Sequence, residues 1–331
     1  MTAERRSGLP RLVRGALIAL LALVTGLAAL WLSVPDPSPW ARVNPTTTAL
    51  VEQRRAEARA AGRAFRPAMA WVPLERISPR LVRAVVASED ATFFDHHGFD
   101  WEALGSAFRH DLARGRYARG ASTLTQQLAK NLWLGTEKSL LRKAREALLT
   151  VKLERRLDKR RILALYLNAV EWGDGVFGAE AGARRHFSTG AGALSTAQAV
   201  LLASMLPSPR RAALSPAPAW LVARARSLLE RLRDEQAIPS GEYAAARAEL
   251  EGYLGAAPAA APGEEPPEPP ADEPAAETPE AGPPPPGADR ADPTPQPEPA
   301  AVDPVTPEPA SPEPDAADPA TPVPSPTRAS P

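Results

Sequence analysis

Ser78-Pro79-Arg80-Leu81-Val82-Arg83-Ala84-Val85-Val86-Ala87-Ser88-Glu89-Asp90 reads as a helix with a marked beginning and an unusual end. The Ser78 hydroxyl can accept from an early backbone N–H, and Pro79 suits the first helical position, where its missing N–H is not needed. Leu81, Val82, Val85 and Val86 make the apolar stripe. Val82, Val85, Val86 and Glu89 stand at i, i+3, i+4 and i+7 and therefore share one face. A carboxylate at the end of an apolar stripe is partly desolvated, and the nearby helix C-terminus also disfavours negative charge. Both effects raise its pKa and suit it to general acid or base chemistry near neutral pH. Spacing alone leaves a second reading open, an edge glutamate turned to solvent or paired with an arginine.

Outward from this stretch, the text between Trp71 and about Leu254 is helical nearly throughout, with no alternating apolar runs bounded by hairpin turns. Thr123 with Gln126, and Ser195 with Gln198, have capping-box spacing. The helix that Ser195 opens stops at Pro207 and Pro209. Further helices are expected over 139–156 and 159–168, and a final one over 219–232. The expectation is one mainly α-helical domain over residues 71–255.

The flanks differ in kind. Arg5, Arg6, Arg11 and Arg14 precede an uncharged run at 15–34. Twenty helical residues span roughly 30 Å, the thickness of a bilayer's hydrocarbon core. Trp31 suits the far interface and the arginines mark the cytoplasmic side, so residues 1–14 read as a cytoplasmic basic segment and 15–34 as an uncleaved transmembrane anchor. The run is long for a signal peptide, and no clear A-x-A site follows it. Residues 35–70 read as a polar, partly helical connector. Residues 256–331 hold 26 of the 39 prolines, 15 acidic residues and no aromatic residue, so they cannot bury enough apolar surface to fold and are expected to be a disordered tail. Without that tail the chain has 37 basic and 24 acidic residues, a balance of +13 that favours anionic partners. Placement beyond the membrane argues against nucleic acid. The chain has no cysteine, which excludes disulfides, zinc-thiolate sites and thiol catalysis.

Three more blocks carry chemistry. In Gly120-Ala121-Ser122-Thr123-Leu124-Thr125-Gln126-Gln127-Leu128-Ala129-Lys130-Asn131, a loop enters a capped helix, which places free N–H groups and a positive dipole end near Ser122. Gln127, Lys130 and Asn131 share one polar face, either a cradle for an anionic, sugar-rich ligand or a solvated stripe. In Arg142-Lys143-Ala144-Arg145-Glu146, the first and last residues are i, i+4 neighbours, the spacing of an intrahelical ion pair. In Arg161-Ile162-Leu163-Ala164-Leu165-Tyr166-Leu167-Asn168, followed by Gly173-Asp174-Gly175-Val176-Phe177-Gly178, the glycines spell G-x-G-x-x-G. A helix rather than a strand precedes them, so a dinucleotide site is rejected. His96 and His97 lack a paired helical metal motif and are read as structural, with no metal site assigned.

Taken in order, these blocks closely resemble the four signatures of the glycosyltransferase domain of penicillin-binding proteins and monofunctional transglycosylases. In the first, Phe93, His96 and Gly98 follow Glu89-Asp90 in the family's places. The second departs only at Ala121, where a second glycine is usual, and the fourth at Ala164, usually glutamate. The resemblance implies a lysozyme-like helical domain with a small membrane-facing lobe, whose catalytic residues are Glu89, the base, and Glu146, the second essential carboxylate. It implies substrate binding by Asp90, Ser122, Thr123, Gln127, Lys130, Asn131 and Arg142, with Arg142 on the leaving pyrophosphate. Arg109, Arg114, Arg116 and Arg119 fall in a segment that corresponds to a mobile region near the donor site, and Tyr166 and Asn168 in the cleft wall. The implied reaction polymerises lipid II into glycan strands by inverting transfer, releasing undecaprenyl pyrophosphate. No cofactor is required, although a divalent cation (Mg or Mn) could assist. The implied partners are lipid II, the growing strand, the inner membrane and other cell-wall synthesis proteins. S-x-x-K and K-T-G are absent, so no transpeptidase is expected. Two rivals stand beside this reading, a lytic enzyme that cuts finished glycan with one glutamate, and a non-catalytic scaffold.

Overall fold

The computed structural model describes residues 11–114, 122–135 and 139–255. The expected tail, Arg5, Arg6, Arg116, Arg119, Gly120 and Ala121 lie outside them. The described residues are mainly helical. The first helix, α1 (Arg11–Ser33), contains a stretch of 22 residues with mean hydropathy 2.3, none of it buried, long and apolar enough to cross a membrane.

The domain is built around α9 (Thr196–Met205), which Ser195 and Gln198 open with a complete capping box. Nearly every residue of α9 is buried, as befits a helix apolar on all sides. Against it pack α3 (Pro79–Glu89), α10 (Ala219–Asp234) and α11 (Ser240–Leu254). A second layer joins α5 (Leu124–Ala129), α6 (Leu140–Arg156) and α7 (Lys159–Ala169). Leu81, Leu128, Leu153, Leu165 and Leu201 are fully buried, each contributing about 2 kcal/mol of transfer free energy. Ser78 caps α3 as its sequence indicates, accepting from Arg80 N–H at 3.3 Å.

Three features differ from the sequence expectation. The helix over 219–232 is followed by α11, whose buried residues Ala246, Leu250 and Leu254 form a stripe one residue wide, flanked by Gly241 and Gly252. So narrow a stripe gives little periodic signal. Two further helices, α4 (Trp101–Arg114) and α8 (Ala179–Phe187), complete the described set with α2 (Ala49–Ala60). A small sheet also forms, with order β1 (Ala68–Met69), β3 (Val176–Phe177), β2 (Glu171–Gly173). Strand β1 runs parallel to β3, and β2 and β3 make a hairpin. Strands of two or three residues are too short to show alternation.

The glycines of the fourth block serve this hairpin. Gly175 turns it at φ +71°, and Gly178, at φ +84°, would bring a Cβ within 2.9 Å of Asn168 O. Helix α2, inside the stretch read as a connector, packs on the sheet through Leu50, Val51 and Phe177. Arg54 on α2 reaches Glu171 at 2.9 Å.

Candidate active site

Helix α3 ends at Glu89 because the next residue, Asp90, takes an extended backbone with φ −165°. The Asp90 side chain turns inward. Its Oδ1 lies 2.9 Å from His96 Nε2, and its Oδ2 accepts from Leu124 N–H at 2.9 Å. Gly98 N–H donates to His96 Nδ1 at 3.0 Å, so Nε2 carries the proton and donates to Asp90. Burial pushes the Asp90 carboxyl above its ordinary pKa, against the pull of these two donors. Asp90, expected among the substrate-binding residues, is instead a buried bracket that ties the end of α3 to the start of α5. His96 is structural, as its sequence context indicates.

The same bracket corrects the expectation of free donors near Ser122. Leu124 N–H is taken by Asp90, Thr123 N–H by Gln126 Oε1 and Gln126 N–H by Thr123 Oγ1. Thr123 Oγ1 in turn donates to Gly98 O at 2.8 Å. The capping box predicted from sequence is present, and with Asp90 it occupies the N–H groups of Thr123, Leu124 and Gln126. The Thr123 hydroxyl is thereby committed to Gly98 and to the start of α5. Ser122 is half-buried, and its carbonyl lies 3.5 Å from Gln127 Nε2.

Glu89 is held in a nearly dry setting, its side chain 11% exposed. Gln127 Nε2 donates to Glu89 Oε2 at 3.0 Å, and Tyr166 OH donates to Gln127 Oε1 at 3.0 Å. Burial, and then the charge of Glu89, push the Tyr166 pKa well above its ordinary value, so the phenol stays a neutral donor. This fixes which end of the Gln127 amide faces the carboxylate. Arg224 on α10 also donates to Glu89 Oε1, at 2.8 Å. The pairing with an arginine that spacing left open is therefore present, the guanidinium arriving from 135 residues downstream.

The cationic residues gather next to this carboxylate. At Lys130 helix α5 passes into a π-helical turn, Lys130–Leu134, a widening frequent at functional sites. Lys130 is half-buried and its ammonium makes no hydrogen bond or ion pair among the described residues, and Asn131 is buried. The stripe is therefore not a solvated face. Burial lowers the pKa of Lys130, and the charges of Glu146, Arg142, Lys143 and Glu89 all act on its ammonium. The charges of the base and of Glu146 therefore both reach the Lys130 ammonium. Glu146 is buried on α6 between Arg142 Nη1, at 2.8 Å on Oε2, and Lys143 Nζ on Oε1. The i, i+4 pair expected from spacing forms, while Arg142 Nε is buried with no partner among the described residues.

Both Glu146 oxygens meet cations, and no group of three metal-ligating side chains occurs among the described residues.

A model of the transglycosylase family matches residues 58–233. This chain belongs to the transglycosylase family. Three curated relatives are each named biosynthetic peptidoglycan transglycosylase. That of Aromatoleum aromaticum is 47% identical over 63% of this chain and 88% of its own. That of Laribacter hongkongensis is 48% identical over 60% and 86%, and that of Rhodospirillum centenum 45% identical over 68% and 93%.

Within this transglycosylase the wall residues are structural. Asn168 accepts from Val72 N–H and donates to Val72 O, each at 2.9 Å, pinning the strand-like entry segment to α7. Its amide also donates to the carbonyl of buried Ala164 at 2.8 Å. Arg109 is exposed on α4, and Arg114 ends that helix. The residue that sequence reasoning missed is Arg224. A signal existed: Arg224 stands one turn from Trp220 and from Leu228, both buried, so it lies at the edge of the apolar stripe of α10.

Proposed function

We propose that this transglycosylase builds peptidoglycan, polymerising lipid II into glycan strands with release of undecaprenyl pyrophosphate. One observation carries the reading: the carboxylate of Glu89, its side chain 11% exposed, and the charges of Glu146 and Arg142 all act on the half-buried ammonium of Lys130. Glu89 takes the proton from the 4-hydroxyl of the acceptor sugar. The freed oxygen forms a bond to C1 of the donor from the opposite face, so configuration inverts. The bond from C1 to the pyrophosphate oxygen breaks, and the pyrophosphate leaves with the electron pair. Charge grows on that group in the transition state, so cations fixed in a dry cleft lower the barrier. Lys130 is suited to this because its ammonium has no competing partner, and Arg142 contributes its unpaired Nε.

Helix α1 anchors the enzyme in the plasma membrane as a single span, with the domain on the extracytoplasmic side. Anchoring keeps the cleft beside a donor that never leaves the bilayer and raises its effective concentration. Incubating the purified chain with lipid-linked disaccharide, or with purified sacculi, tests the reading. Polymer from the first substrate supports it. Soluble fragments from the second would make the protein lytic, and no product from either would leave a scaffold.

A further inference from the structure

One charged side chain outside the four sequence blocks reaches the proposed base. We propose that Arg224 is a positioning residue for glycosyl transfer, holding one Glu89 oxygen so that the other is aimed at the acceptor hydroxyl. The inference rests on the reading of Glu89 as the base.

The hydrogen bonds distinguish the two carboxylate oxygens. Oε1 receives Arg224 Nη2 at 2.8 Å and Ser88 Oγ at 3.2 Å, and Arg224 Nη2 also meets Ser88 Oγ at 2.9 Å. Oε1 therefore has two donors and no lone pair to spare. Oε2 has one, Gln127 Nε2 at 3.0 Å, and keeps a lone pair open. Oε2 is the oxygen that takes the proton. Because α10 holds one oxygen and α5 the other, the carboxylate cannot rotate to exchange them.

The placement of Arg224 supports a functional role over general packing. Its backbone is fixed by a helix that buries Trp220, Leu221, Ala225 and Leu228. Its Nε is buried with no partner among the described residues, an unsatisfied donor that a purely structural arginine has no reason to keep. The side chain is held for its charge and its Nη2 contacts, at the expense of complete hydrogen bonding.

The test uses the full chain in detergent with lipid-linked disaccharide, comparing Arg224→Gln and Arg224→Lys with the parent. With Arg224→Gln, kcat falls about 10²-fold, the scale of a misplaced catalytic group, while KM holds. The acid side of the pH–rate profile moves to higher pH, because the cation 2.8 Å from the carboxylate is gone. Arg224→Lys restores the charge, returns the acid side toward the parent's and recovers part of kcat. Undiminished kcat in Arg224→Gln, or a loss with an unmoved pH profile and a lowered melting temperature, overturns the proposal. If Arg224→Gln does not fold, Arg224→Met decides by the same profile, a displaced one supporting the proposal and an unmoved one overturning it. A parent that makes no polymer would remove the reading of Glu89 itself, and this inference with it.

Discussion

The indole of Trp40 lies flat on that of Trp133, with ring centroids 4.5 Å apart and planes 4° from parallel. Trp133 belongs to the π-helical turn that begins at Lys130, so the chain just beyond α1 touches the turn that carries the cleft's free ammonium. Other contacts make this a joint. Lys152 on α6 donates to Trp31 O at 2.8 Å and Val34 O at 2.7 Å, covering carbonyls that the end of α1 leaves open. Its ammonium also sits 4.9 Å from the Trp31 ring centre. Arg161 on α7 holds Trp40 O at 2.7 Å and Val43 O at 2.9 Å. With α1 as the proposed anchor, this grip would set the height of the site above the bilayer as well as its address. The expected outcome for Lys152→Ala combined with Arg161→Ala is a loss of about 10-fold in liposomes, from lost orientation, with activity in detergent near the parent's. Equal losses in both would reduce the joint to fold stability.

Replacement of Glu89 by glutamine keeps the shape and an acceptor for Arg224, so the folded chain should lose about 1 kcal/mol or less. Glutamine cannot take a proton, and turnover should fall by about 10²–10⁴-fold. Glycan synthesis at the parental rate by this variant would remove Glu89 from the base role.

Tyr166→Phe tests the support behind the base. The ring keeps its packing, but Gln127 Oε1 loses its donor and the amide is free to turn its oxygen toward the carboxylate. A stability cost of about 1 kcal/mol is expected, with a drop of about 10-fold in kcat and little change in KM. Steady-state kinetics alongside thermal unfolding separates the two effects. A rise in KM with kcat intact would make Gln127 a binding residue rather than a support.

How much of this was legible in the sequence follows from the distance over which each feature acts. The caps at Ser78, Thr123 and Ser195 were readable because each is completed within three residues. The Arg142–Glu146 pair was readable for the same reason. Arg224 lies 135 residues from Glu89, and Asp90 34 residues from Leu124, so neither partnership leaves a local trace. The reading of Asp90 and Thr123 as ligand-facing failed at this point. Their residue types suit a polar ligand, but tertiary contacts had already used their hydrogen bonds. Lys130 and Glu146 were placed in one site by the resemblance of whole blocks rather than by spacing, and in the structure the charge of Glu146 acts on the Lys130 ammonium.

Lys130 offers the sharpest separation of function from stability. Burial lowers its pKa in the folded chain below the usual 10.5 of a lysine. The fold therefore disfavours the protonated form. The sign of the linkage follows: the stability contributed by this group is present above the unfolded pKa and lost as pH falls through the folded one. At neutral pH the charged lysine is a cost that the fold carries. Lys130→Met removes that cost, so the variant should melt no lower than the parent at pH 7, with any advantage shrinking as pH rises toward 10.5. Turnover should nevertheless fall about 10²-fold, because the fixed cation facing the leaving group is gone. In the parent, activity should decline on the alkaline side at a pH below the ordinary lysine value as Lys130 loses its proton. Melting curves and turnover across pH check both parts together. A variant that melts well below the parent at pH 7 would make Lys130 a structural cation, and the loss of activity would then say nothing about the leaving group.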